Sequence, residues 1–306
     1  MSTREKLTAQ AGFVSAIREY FVQQGVLPVR THLLGDSGST DPSVCNMSAT
    51  DESGTQLGFL QTSPEFAMKR LLSEGSGDIY QICAAFRAEE AGRLHRPEFS
   101  ILEWYRLGFD HHQLMDDVEA LVNTIVPNLQ WRRCSYRDLF KEHVGIDPHS
   151  ASNELLFTRA NLSVSLESQD LTERSLLLDI IFSQQIQPTL SGGEALFVYD
   201  FPHEQAAYAI IRDTDPPVAS RFELLIGDIE IANGYHEVTD GVEQARRHAR
   251  ERGIRAKSGQ KNIEIDPKFL SAFEKNMPEC AGVAIGLDRL MMISFDQNSL
   301  KEAEIL

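Results

Sequence analysis

Phe86-Arg87-Ala88-Glu89-Glu90, a polar link through Gly92, Arg93, His95 and Arg96, and then Pro97-Glu98-Phe99-Ser100-Ile101-Leu102-Glu103-Trp104-Tyr105 form the stretch on which the fold turns. Upstream, Tyr80, Ile82, Ala84 and Phe86 alternate with other residues at the period of a strand. Downstream, Phe99, Ile101, Glu103 and Tyr105 fall on one strand face. Two strands therefore flank a loop with three arginines, a histidine and several carboxylates. Arg87 leaves the first strand where Phe99 enters the second. A cation and an aromatic ring at the mouth of a hairpin can hold a phosphate and stack a base. The plainer alternative is a hairpin with a charged, solvated loop.

Working outward, the 306 residues suit one large domain or two. A hydrophobic share of 42% is enough for a sizeable core. No apolar run approaches the roughly 18 residues a membrane span needs, and no apolar signal core follows Met1-Ser2-Thr3-Arg4. Cys45, Cys83, Cys134 and Cys280 form no C-x-x-C pair and no zinc spacing, so the expected setting is a reducing cytoplasm. A net charge of −16 argues against a broad nucleic-acid surface, though not against a local basic site.

Along the chain, residues 9–24 read as a helix with Phe13, Ile17, Tyr20 and Phe21 as its stripe and Gly25 as its stop. Residues 26–60 read as a long loop with short strands. Ser63 suits an N-cap, Pro64 a first helical turn, and Glu65 the positive end of the dipole. Leu114, Val118, Leu121, Val122 and Ile125 mark another helix, and residues 130–190 read as helical packing. His111, His112 and His143 read as structural or solvated. Residues 195–201 and 208–212 read as strands.

A second informative stretch runs over residues 221–237. Gly227-Asp228 is a two-residue hairpin turn of the Gly-first kind. If Ile226 pairs with Ile229, Leu225 opposes Glu230 and Glu223 opposes Ala232, which makes Glu223 and Glu230 diagonal neighbours on one face. Two such carboxylates repel unless a proton or cation sits between them, and a hard divalent ion such as Mg²⁺ is the natural guest; a solvated sheet face is the alternative. Asn233, Tyr235 and Glu237 follow at alternate positions. Asp240 with Glu243 opens a helix whose arginines at 246–252 precede Gly253, either a solvated face or a basic docking patch. Residues 254–265 read as mobile, and Asp266-Pro267 starts a short helix.

A third stretch, Ala281-Gly282-Val283-Ala284-Ile285-Gly286-Leu287-Asp288-Arg289, turns a small-residue strand directly into a helix. Its glycines allow close approach of a ligand. Arg289, in the first turn of an apolar helix, needs an anion, either a carboxylate such as Asp288 or a phosphate.

Together these stretches resemble the signature motifs of class II aminoacyl-tRNA synthetases. Phe86-Arg87-Ala88-Glu89 with the loop to Phe99 resembles motif 2, Gly286-Leu287-Asp288-Arg289 motif 3, and the first helix with Gly25-Val26-Leu27 the dimer-forming motif 1. Thr62-Ser63-Pro64-Glu65, residues 99–105 and residues 230–237 are of the lysyl branch. Lysyl-tRNA synthetases carry an anticodon-binding OB-fold ahead of the catalytic domain, and motif 1 here begins within about the first ten residues. The resemblance is therefore to the free-standing paralogues, the elongation factor P–(R)-β-lysine ligases. Ala284, where lysyl-tRNA synthetases have glycine, and Phe201-Pro202 with Gln205-Ala206 are of their type.

The resemblance implies an α+β fold, a single catalytic domain over 1–306 whose antiparallel sheet is flanked by helices, without the OB-fold, and a homodimer. It implies an ATP-dependent ligase that uses Mg²⁺, activates (R)-β-lysine as an adenylate and passes it to a lysine ε-amine of elongation factor P, with neither tRNA nor membrane as partner. Arg87 would bind the α-phosphate, Glu89 the adenine edge, Phe99 its ring, and His95 and Arg289 the outer phosphates, with Arg87 and Arg289 as the catalytic pair. Glu223 and Glu230 would hold Mg²⁺. Glu65 and Glu237, with Tyr105 and Asn233, would receive the amines, Glu103 being a further candidate; Ala284 and Gly286 complete the pocket. Two other readings use the same scaffold: a lysine-type amino-acid ligase with another acceptor, and a catalytically silent paralogue that binds an amino acid. Thr31-His32, where the family reads toward Thr-Pro, and the Gly/Ser/Asp-rich run at 35–55 depart from the pattern, and neither is expected to touch the ATP residues.

Overall fold

A computed structural model describes residues 2–88, 92–161, 174–190, 192–274 and 276–303. In chain order the elements are α1 (Thr3–Gln23), β1 (Leu27–Pro28), β2 (Leu34–Gly35), β3 (Ser48–Thr50), β4 (Gln56–Leu60), α2 (Glu65–Ser73), β5 (Ile79–Phe86), β6 (Glu98–Leu107) and α3 (His111–Ile125). Then come β7 (Gln130–Ser135), α4 (Tyr136–His143), α5 (Asn153–Arg159), α6 (Arg174–Ile181), β8 (Glu194–Pro202), β9 (Ile211–Arg212), β10 (Val218–Ile226) and β11 (Ile229–His236). The chain closes with α7 (Gly241–Lys257), α8 (Pro267–Glu274), β12 (Cys280–Gly286), α9 (Leu287–Ser294) and α10 (Leu300–Ala303). Two compact units result, Met1–Pro127 with Val238–Leu306, and Asn128–Glu237. No helix among the described residues is long and apolar enough to cross a membrane.

In the first unit the ladder runs β1-β5-β6-β12. β5, β6 and β12 are antiparallel, and β1 adds a short parallel edge. Helix α1 begins earlier than the apolar stripe suggests, because Ser2 and Glu5 form a reciprocal capping box ahead of it. Its stripe of Phe13, Ile17, Tyr20 and Phe21 is buried as expected. Phe21 stacks on Tyr80 at 4.2 Å and meets Trp104 edge-on at 5.4 Å. Buried Asp117 of α3 accepts hydrogen bonds from the Tyr20 hydroxyl and from Trp104 Nε1, tying both helices to the back of the ladder. Residues 26–60 hold only short strands, of which β2, β4 and β3 make a small antiparallel sheet.

Three expectations in this unit need correction. Helix α2 starts one residue later than read: Pro64 occupies the N-cap position, and the Ser63 hydroxyl accepts from the Glu65 N–H at 3.4 Å. Helix α7 does not stop at Gly253. A mid-helix glycine costs about 1 kcal/mol, which is outweighed by buried Arg255, whose guanidinium donates to the carbonyls of Lys261, Asp41 and Val44. The same contacts hold the following segment, where Ile263 is buried and Lys261 reaches Gln56, so residues 254–265 are anchored rather than loose.

The second unit has its own ladder, β11-β10-β8-β7, with β9 paired to β10. Its core gathers Tyr136, Leu139, Phe140, Leu177, Leu178 and Ile181 from the helices and Leu196, Val198 and Leu225 from the sheet. Residues 130–190 are helical only in part. Gln130–Ser135 is a strand, parallel to β8, that no alternation announces. What makes it one is tertiary: Trp131 stacks on Phe197 at 5.4 Å, and Arg133 lies over the same ring. The strand read at 208–212 shrinks to Ile211–Arg212 plus a single bridge from Ala209 to Glu237.

Candidate active site

In the first unit, β5 and β6 pair without interruption from Ile79↔Tyr105 to Phe86↔Glu98. That register delivers Arg87 and Phe99 side by side. The Arg87 N–H donates to the Pro97 carbonyl at 2.9 Å, and its guanidinium lies 5.0 Å from the centre of the Phe99 ring. Glu89 lies outside the described residues. The loop between the strands is held from α9. Arg289 Nη2 meets His95 Nε2 at 2.8 Å and Arg289 Nε donates to the Leu94 carbonyl at 3.2 Å. Asp288 does not serve as the Arg289 partner; its carboxylate accepts from the Ser100 N–H at 2.9 Å, and burial raises its pKa. A Cβ placed on Gly286 would make ordinary contact with the aliphatic stem of Arg289, the nearest atom 3.7 Å away.

The run at 35–55 reaches this hairpin after all. The Ala88 N–H, between Arg87 and Glu89, donates to the Cys45 carbonyl at 2.8 Å. The same run is pinned on its other side to α7, where Thr40 and the buried His248 share a 2.6 Å hydrogen bond.

One face of the β5-β6-β12 ladder is polar. Glu103 stands between Gln81 on β5 and Ala284 on β12. The Tyr105 hydroxyl donates to Glu103 at 2.8 Å, and both residues are buried. Gln81 Nε2 donates to the Thr31 hydroxyl at 3.0 Å, giving the departure at Thr31 a place beside this face. Glu65, at the start of α2, is already engaged: Lys69 Nζ lies 2.5 Å from its Oε1, and the Lys69 side chain is fully buried. Neither Lys69 nor Gln81 was singled out from sequence. The i, i+4 spacing from Glu65 was the available signal for Lys69.

In the second unit, Gly227 has φ +58°, as a Gly-first turn demands. Ile226 pairs with Ile229 and Leu225 with Glu230, as read. Beyond that the count fails. Ile231 is the extra residue of a β-bulge, so Leu224 faces Ala232, and Glu223 faces Asn233 rather than Ala232. The bulge puts Asn233 on the face that also carries Glu223 and Glu230. Arg221 joins this face: Nη2 lies 2.5 Å from Glu223 Oε1, and Nε donates to Asn233 Oδ1 at 3.2 Å. Arg221, two residues before Glu223 on one strand, opens the second informative stretch, and the sequence alone assigns it no role. Glu237 is buried one residue past β11.

Electrostatically this face carries surplus negative charge. Burial, then Glu230 and Asp179, push the Glu223 carboxyl up to about 7, against the pull of Arg221. Glu223 and Glu230 offer two carboxylates on one strand face, oxygen donors of the kind a hard divalent cation takes, and Mg²⁺ fits that donor chemistry.

Comparison with known proteins adds two findings. A family profile described as "tRNA synthetases class II (D, K and N)" matches residues 1–306. Among curated relatives, a protein of Pseudoalteromonas translucida is 40% identical over 302 residues, covering 97% of this chain and 93% of its own. One from Pasteurella multocida is 39% identical with the same coverage, and one from Vibrio cholerae is 40% identical over 301 residues, covering 96% of this chain and 93% of its own. All three bear the name elongation factor P–(R)-β-lysine ligase. With the motif 2 hairpin, the strand-to-helix turn at Gly286 and the carboxylate hairpin each in place, the chain belongs to the class II tRNA synthetase family of the D, K and N kind, and within it to the group of these ligases.

Proposed function

We propose that this protein is an ATP-dependent ligase that activates (R)-β-lysine and transfers it to a lysine ε-amine of elongation factor P. The observation that carries the reading is the near-full-length identity to relatives of that name. The substrate carboxylate attacks the α-phosphorus of ATP and pyrophosphate leaves, giving the aminoacyl-adenylate. The acceptor amine then attacks the acyl carbon, AMP leaves, and an amide forms. No protein nucleophile is needed, so catalysis rests on positioning and on charge placed where charge develops.

In this reading Arg87 binds the α-phosphate, Phe99 and Glu89 receive the adenine, and His95 and Arg289 hold the outer phosphates. Their support is the Arg87–Phe99 stack and the His95–Arg289 contact. Glu223 and Glu230 hold Mg²⁺, which when bound neutralises phosphate charge. Glu65, Tyr105, Asn233 and Glu237 receive the diamino acid, beside Ala284 and Gly286. The whole of 1–306 serves as one catalytic domain. The enzyme works in the cytoplasm, with all four cysteines as free thiols, and takes a protein rather than tRNA as acceptor, in keeping with a charge of −16. It forms a homodimer through the α1–β1 segment, where Val22 and Leu27 stand 71% and 54% exposed. The basic run of α7 is a poorer docking patch than its sequence suggests, since Arg246 and Arg247 both pair with Glu243 and Arg252 with Glu264.

ATP–pyrophosphate exchange with Mg²⁺ and either (R)-β-lysine or L-lysine tests the reading. Strong exchange with the β-isomer and weak exchange with L-lysine is expected. A preference for L-lysine, or no exchange with either, overturns it.

A further inference from the structure

Arg221 is held more firmly than its position on a strand requires. Its side chain is 15% exposed. One guanidinium makes three directed contacts: Nη2 to Glu223 Oε1, Nε to Asn233 Oδ1, and Nη1 to the Gln205 carbonyl at 3.0 Å. Aromatic rings from two elements bracket it, Phe201 at 4.4 Å and Tyr235 at 5.9 Å from the guanidinium carbon. A planar fork gripped by aromatics and anchored to a backbone carbonyl has little freedom, and neither does any side chain bonded to it.

The two side chains on the fork come from different strands. In a regular ladder counted from Gly227-Asp228, Asn233 would fall on the opposite face from Glu223; the bulge at Ile231 brings it across. The strand irregularity and the arginine thus act together. The bulge sets Asn233 beside Glu223, and the guanidinium locks both.

We propose that Arg221 is a positioning residue that orients two functions at once, the metal-side carboxylate of Glu223 and the substrate-side amide of Asn233. This rests on the roles given to those two residues under the proposed function. Lysine at this position keeps the charge but loses the fork, because an ammonium cannot present two fixed donors to a carboxylate and an amide in one plane.

The test compares Arg221→Lys, Arg221→Met, Glu223→Gln and Asn233→Ala with the parent enzyme. Exchange kinetics give KM for Mg·ATP and for (R)-β-lysine. Calorimetry of (R)-β-lysine added to the enzyme without ATP or metal gives substrate binding free of turnover, and thermal unfolding reports the scaffold. Expected for Arg221→Lys are rises of about tenfold in both KM values and in the β-lysine dissociation constant, with unfolding shifted by only a few degrees. Glu223→Gln should raise the Mg·ATP constant alone, and Asn233→Ala the β-lysine constant alone. Arg221→Lys that moves neither constant, or only one, overturns the proposal, as does Arg221→Met that unfolds more easily with both constants intact. Glu223→Gln and Asn233→Ala without effect would instead remove the roles on which the inference stands, whatever the arginine does.

Discussion

Two hairpins, one in each unit, aim their side chains in different ways. The first, β5–β6, keeps perfect register over eight pairs and then opens into a long polar loop. Its ladder places Arg87 and Phe99, but the loop residues beyond take their orientation from another element: α9 reaches over with Arg289 to His95 and the Leu94 carbonyl, and the Asn298 carbonyl accepts from Arg93. The second, β10–β11, closes with a two-residue turn and keeps its chemistry in the strands. There the bulge and Arg221 supply the orientation from within the hairpin. A long loop allows many conformations and needs an outside clamp; a tight turn limits them but fixes the register, so that only a bulge can change which residues share a face.

The clamp on the first hairpin is the sharpest place to break this contrast. Arg289→Ala removes both the proposed outer-phosphate contact and the anchor of the loop. A loss of exchange on the order of 10²–10³-fold is expected, with the fold intact by circular dichroism. Activity near that of the parent would remove the motif 3 role and leave the loop self-supporting.

The second hairpin should respond less to an apparently more violent change. Deleting Ile231 takes out the extra residue, and counting from the turn then gives Leu225↔Glu230, Leu224↔Ala232 and Glu223↔Asn233, the pairs already present. The buried isoleucine is lost, at a cost of about 2–4 kcal/mol read as a fall of several degrees in Tm. The partners on the Arg221 face are kept, so KM for (R)-β-lysine should rise by no more than about tenfold. Exchange lost as completely as in Arg289→Ala, with Tm unchanged, would mean that the local twist of the bulge rather than its register aims Asn233.

The same contrast explains what could be read in advance. Alternation at 80–86 marked the face of β5 that meets Leu102 and Trp104, and alternation at 99–105 marked the opposite, polar face of β6; residues 101–106 are buried on both faces, and the pairing is unbroken. Likewise the Gly227-Asp228 turn and the strand-to-helix switch at Gly286 are written in local residue types. The bulge was not legible, since Ile231 and Ala232 are ordinary strand residues and only the packed sheet decides which of them is extra. Strand β7 was missed for a related reason: Gln130, Arg132 and Arg133 become a strand through Phe197 and the β8 ladder, which lie far off in sequence. Lys69 and Arg221 escaped because a cation taken alone carries no signal, while their meaning lies in a carboxylate nearby: Glu65 four residues before Lys69, and Glu223 two residues after Arg221.

The charge on the second hairpin offers the smallest but most specific test. Glu223 has an ordinary value of 4.5, pushed up to about 7 chiefly by burial and then by Glu230 and Asp179. The folded chain therefore holds this proton more tightly than the unfolded one. Its contribution favours folding fully below about 4.5 and is lost as the pH climbs through about 7. Glutamine cannot ionise, yet its carbonyl can still accept from Arg221. In metal-free buffer, Glu223→Gln and the parent should unfold at similar temperatures near the acid end of that window. Above neutrality the variant should gain on the parent by a few degrees, since it escapes the cost of a buried anion beside two others. A Tm difference that stays constant across the window would mean that Arg221 alone already compensates the Glu223 charge, and that the hairpin bears no surplus for a cation to relieve.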